Sequence, residues 1–99
     1  MAINKTQDGD KTVFVLHGRL DTTTAPELQE MLLPGIESVK RAELDFADID
    51  YVSSAGLRVL LMGEKAAKTN GAKMTLINVS PEVMEVFKMT GFADMLTIL

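Results

Sequence analysis

"LDFADIDYVSSAGLRVLL", residues 44–61, holds the decision about the fold. It begins as a strand. In "RAELDFAD" (41–48), Ala42, Leu44 and Phe46 alternate with other residues and share one face. A short extended pair, Tyr51 and Val52, then runs into two serines, the small pair Ala55 and Gly56, and an apolar run broken only by Arg58. Serine is favoured at helix N-caps, where its oxygen accepts a free backbone N–H. A helix therefore opens at the serines and runs to about Asn70, with Gly71 as its stop. Leu57, Leu60, Leu61 and Ala67 are assigned to its core side, and Arg58, Met62, Lys65 and Thr69 to a solvent stripe. A strand feeding a helix in this way is the building unit of a parallel sheet.

Upstream, "DGDK" (8–11) reads as a tight turn. It separates a weak strand near Ile3–Thr6 from a strong one, "TVFVLHG" (12–18). In the strong strand Val13, Val15 and His17 point one way and Phe14 and Leu16 the other. Both faces are largely apolar, which predicts a central position. In "TTTAPELQEMLLPGIESV" (22–39), Thr24 and Glu27 fit a capping box and Pro26 fits the first turn. Leu28, Met31, Leu32 and Ile36 form the apolar stripe, and Pro34 predicts a kink or an early end. Downstream, "AKMTLINV" (72–79) is a strand. Ser80 caps, Pro81 starts and Gly91 ends a short helix, and "DMLTIL" (94–99) closes the chain as a strand or a helical turn. The order is β-β-α-β-(short β)-α-β-α-β. It predicts one α/β domain over residues 1–99, with a four- or five-stranded mixed sheet, right-handed crossovers and three main helices. Leu44, Phe46, Leu57, Leu60, Leu61, Leu76, Val83 and Phe87 are expected to be buried.

Composition excludes several classes of function. The chain has 99 residues, 46% of them apolar but only 5% aromatic, so the core is aliphatic. Cysteine is absent, which removes disulfides, thiolate metal sites and thiol nucleophiles. The polar start "MAINKTQDGDK" and the lack of an apolar run near the roughly 20 residues that span a bilayer point to a soluble cytoplasmic protein. A net charge of −4 argues against nucleic acid, and Lys65 with Lys68 reads as a solvated helix face. His17, the only histidine, has no serine or cysteine close in sequence and reads as a packed or rim residue. Asp45, Asp48 and Asp50 lack the glycine-spaced loop of a calcium site and read as a solvated rim. "NGAK" and "TGFA" are single-glycine stops, not phosphate loops, and the seven methionines read as core filler. No catalytic residue, cofactor or metal is expected. What remains is an acidic rim and the serine step. Asp21 follows the strong strand, and the chain segments after "HG" and "YV" open on one sheet edge, which would bring Asp21 near Ser54.

Three segments in order carry a family likeness: "VFVLHGRLDTTTAPEL" (13–28), "LDFADIDYVSSAGLRVLL" (44–61) and "LINVSPEVMEVFKMTGF" (76–92). Over nearly its full length the chain resembles the STAS domain of bacterial anti-sigma factor antagonists. The resemblance implies a partner switch. The unphosphorylated protein would bind an anti-sigma factor that is also a serine kinase, freeing the sigma factor. Phosphorylation of the serine opening the helix would end binding, and a PP2C-type phosphatase would restore it. Setting Gly56–Leu57 on the family's Gly-Leu places the acceptor at Ser54, with Ser53 as the alternative. Ser53 stands where the family has Asp, Ala55 where it has a second hydroxyl, and Arg19 where Glu is common. The implied partner surface is Asp21, Thr22, Thr23, Thr24, Ser53, Ser54, Ala55, Gly56, Arg58 and Met62, on a chain that is a monomer when isolated. Ala55 and Gly56 would leave room beside the hydroxyl, and Met62 would be an anchor between cations. The alternative is a non-phosphorylated STAS scaffold subunit of a transport or signalling complex.

Overall fold

The computed structural model describes residues Met1–Leu99. The elements in order are β1 (Ala2–Asp8), β2 (Lys11–Leu20), α1 (Ala25–Glu37), β3 (Arg41–Val52), α2 (Ser54–Thr69), β4 (Lys73–Ile77) and α3 (Pro81–Thr90). A single 3-10 turn, Phe92–Asp94, follows. The strands form one mixed sheet in the order β1-β2-β3-β4. The β1–β2 pair is antiparallel, and β2–β3 and β3–β4 are parallel. β2 is central, as its two apolar faces predict. No helix is long and apolar enough to cross a membrane.

Register explains how the core is filled. Phe14, Leu44 and Leu76 face one another across β2, β3 and β4, and all three are fully buried. α1 lies over this row: a Cβ added at Gly35 would meet the Phe14 ring at 2.7 Å. α2 lies over the same face, since a Cβ at Gly63 would come within 2.8 Å of Leu32 and 2.9 Å of the Met74 sulfur. The two helices therefore approach the sheet and each other as closely as glycine permits. The opposite face is only half-buried along Val13, Val15, His17, Glu43 and Asp45. There His17 Nδ1 donates to Asp48 Oδ2 at 2.6 Å and its Nε2 accepts from the Asn4 amide at 3.2 Å. His17 is thus a rim residue with two polar neighbours.

Several expectations change. β3 does not stop near Asp48 with a separate short strand after it. It continues to Val52, because β2 and β3 absorb two register shifts, between Val15 and His17 and between Gly18 and Leu20. Asp48 and Asp50 accordingly sit within the strand. α1 does not end at Pro34 but runs on to Glu37. The carbonyl that Pro34 cannot serve belongs to Glu30, an exposed residue, so water can satisfy it, while buried Gly35 and Ile36 hold the last turn on the sheet. On α2, Leu61 is only half-buried and stays outside the core, whereas Val59 is buried. The α1–α2 contact rotates the buried face toward Val59. The C-terminus forms neither a full strand nor an α-helical turn. A lone parallel bridge joins Ile98 to Leu76, with the Leu76 amide donating to Thr97 and the Leu99 amide to Leu76. Ser80, Pro81 and Gly91 act as expected: the Ser80 hydroxyl accepts from Val83, and Gly91 takes the left-handed conformation at φ 81° that ends α3.

Candidate functional site

The serine step joins β3 to α2, and its two serines have different tasks. Ser53 is the N-cap. Its backbone is extended, and its hydroxyl oxygen accepts from the Gly56 amide at 3.3 Å. Ser54 is the first helical residue, and its exposed hydroxyl makes no hydrogen bond within the protein. The two serines are therefore not equivalent: one cap position exists, and Ser53 holds it. Ser53→Ala is expected to cost about 1 kcal/mol of folding stability, and Ser54→Ala much less. Urea unfolding of the two variants measures the order, and the reverse order would overturn the cap assignment.

The step is tied to the end of β2. Leu20 pairs with Val52, and the Ser53 amide donates to the Leu20 carbonyl at 2.8 Å. This places the 21–24 turn beside the start of α2, as the sheet-edge reading requires. Gly56 makes the junction possible. A Cβ there would meet Leu20 Cγ at 2.7 Å, the Leu20 carbonyl at 3.0 Å and Val52 at 3.1 Å. Gly56 is buried, so it serves packing and does not open room for a partner, which removes it from the expected surface. Ala55 is half-buried at the surface beside it.

The 21–24 turn is held by a carboxylate rather than by a capping box. Asp21 Oδ1 accepts from the Thr23 amide at 3.0 Å and the Thr24 amide at 3.1 Å. The Thr24 hydroxyl accepts from the Asp21 amide at 2.9 Å and donates to the Arg19 carbonyl at 2.6 Å. Thr24 has helical backbone angles and no capping bond, because its hydroxyl is already committed inside the turn. The Thr24 amide, then desolvation in the opposite sense, then the Thr23 amide act on Asp21, and the net effect holds its carboxyl below the ordinary 3.8. Asp21 is thus an anion whose charge is largely spent on its own turn. Arg19 continues the rim: its guanidinium lies 4.5 Å over the ring of exposed Tyr51 and 4.0 Å from Asp21 Oδ2. Nothing in the sequence paired Arg19 with Tyr51, since the contact depends on the β2–β3 register.

Between α1 and α2 a groove of about 240 Å³ opens next to the serines. Ala25, Pro26 and Gln29 line it from α1, and Ala55, Val59 and Met62 from α2. Thr22 and Arg58 complete the lining. Met62 is half-buried and lines this groove, so it is not the exposed anchor expected on the solvent stripe. The structure therefore gathers Thr22, Ala55, Arg58 and Met62 around one concavity, with Ser53, Ser54 and Asp21 on the adjoining junction. Thr23 is exposed on the turn beside them. The groove was not legible in the sequence, because it lies between helices that meet only in the fold.

A family model described as "STAS domain" matches residues 2–99. The anti-sigma-B factor antagonist of Bacillus subtilis is 32% identical over 81 residues, which is 82% of this chain and 74% of that protein. Among solved structures, the unphosphorylated form of the anti-sigma factor antagonist SpoIIAA superimposes with a TM-score of 0.84 at 20% identity, over 99% of this chain and 88% of that one. The phosphorylated form of SpoIIAA, a Bacillus cell fate determinant, gives a TM-score of 0.77 at 19% identity, over 99% and 91%. At these identities the two structures establish the fold alone.

Proposed function

The chain belongs to the STAS domain family, and from that premise we propose that it is an anti-sigma factor antagonist switched by phosphorylation of Ser54. It works by binding, not by catalysis. In its unphosphorylated form it binds an anti-sigma factor that is also a serine kinase and so releases the sigma factor. The kinase then phosphorylates Ser54, and a PP2C-type phosphatase returns the hydroxyl. One observation carries this reading. Two adjacent serines open α2; one is consumed as the cap, and the other presents a free, exposed hydroxyl. The names of the relatives supply the regulatory context.

The chemistry suits the position. Phosphate adds about −1.5 to −2 charges at neutral pH. At the first turn of α2 it faces unsatisfied amides and the positive end of the helix dipole, so the fold tolerates it. The charge instead acts outward, on whatever packs against the junction and the groove. Phosphorylation is tested by incubating the protein with ATP and each anti-sigma factor serine kinase encoded in the same genome, followed by intact mass and site mapping. One phosphate on Ser54 is expected. Phosphate on Ser53 would move the switch to the cap residue, and no phosphate would favour a scaffold subunit instead.

A further inference from the structure

The exposed surface of α2 has an unbalanced charge. Within Ser54–Thr69 the cations are Arg58, Lys65 and Lys68, all exposed, and the only acid is Glu64, at 7% exposure. None of the three cations is paired: the ion pairs of the chain are formed by Met1, Lys11, His17, Arg19 and Arg41. On a chain of net charge −4 this leaves a local basic face without internal compensation. Arg58 is the one cation of the three that also borders the groove between α1 and α2. The same lining is apolar at Pro26, Ala55, Val59 and Met62.

Resting on the reading above, we propose that this groove receives a segment of the anti-sigma factor that presents an apolar side chain beside an aspartate or glutamate, with Arg58 as the charge contact. The apolar wall offers desolvation for the side chain. The guanidinium offers a two-pronged contact to a carboxylate that a point cation would not match. The arrangement also explains how a charge at Ser54 acts. Ser54 and Arg58 are one helical turn apart on the same face, the spacing at which opposite charges pair. A phosphate on Ser54 competes for Arg58 and repels the incoming carboxylate, so one modification cancels the attraction twice.

The experiment measures affinity for each anti-sigma factor serine kinase of the same genome, at low and at high salt. Arg58 is exposed and Gln29 is half-buried on the groove wall, so neither Arg58→Glu nor Gln29→Trp removes a core side chain. Arg58→Glu is expected to weaken binding at least about tenfold, and Arg58→Gln to flatten its salt dependence. Gln29→Trp, which fills the groove from the α1 side, is expected to weaken binding by at least about the same factor. Arg58 variants that bind like the native chain, or a Gln29→Trp variant that does so, would overturn this assignment while leaving the antagonist reading intact. A native chain that binds none of the kinases would overturn the antagonist reading and this inference with it.

Discussion

Phe87→Ala is expected to lower folding stability by about 3–5 kcal/mol. That is a large share of the roughly 5–15 kcal/mol that holds an ordinary domain folded. The size follows from how little else holds α3. Of its ten residues only Val83 and Phe87 are buried, and Phe87 is completely so. Its ring meets Phe46 of β3 edge-on, with centroids 6.3 Å apart. Removing it deletes the larger of two anchors, leaves a cavity beside Phe46 and forfeits an aromatic contact of about 0.5–1.5 kcal/mol. Phe46→Ala removes the same contact from the other side, so the double variant is expected to lose less than the sum of the two single losses. Urea unfolding measures all three. A loss below about 1 kcal/mol for Phe87→Ala would show that α3 contributes little to the fold.

Ser54→Asp is expected to keep the fold and lose the partner. A carboxylate in the first helical turn meets the positive dipole end, and it stands one turn from Arg58. Both effects favour the folded state, so unfolding should occur at the native denaturant concentration or slightly above it. Binding to the anti-sigma factor should fall at least about tenfold, or about 1.4 kcal/mol. Phosphate carries more charge than aspartate and should act more strongly. Ser54→Ala is the counterpart. It removes no cap and no internal hydrogen bond, so it should bind the partner and stay bound in the presence of ATP. Calorimetric titration with and without ATP distinguishes these outcomes. Native affinity in Ser54→Asp would end the switch and favour a scaffold role.

The difference between the serines shows where sequence reading stops. Both are good capping residues, and their order along the chain does not say which takes the cap. The answer depends on where β3 ends, and β3 is carried to Val52 by register shifts against β2. Only then does Ser53 keep an extended backbone, while Ser54 enters the helix with its hydroxyl free. Gly56 makes the same point. In the sequence it looks like space for a visitor, whereas in the fold that space is occupied by Leu20 and Val52.

What the sequence determined by itself was local or periodic. The turn at Gly9, the Ser80–Pro81 start and Gly91 end of α3, the alternation in β2 and β3, and the apolar stripe of α1 each follow from hydrogen bonds and side-chain spacings within a few residues. Those forces act the same way in almost any surroundings, and the family likeness rode on their order. The tertiary structure decided what depends on two distant segments at once. It exchanged Leu61 for Val59 in the core, carried α1 past Pro34, and brought Arg58 of α2 into the lining of a groove shared with α1. Each of these is settled by packing: which face of α2 turns inward depends on how closely α1 can approach, and that distance is set by glycines and side chains far apart in the chain.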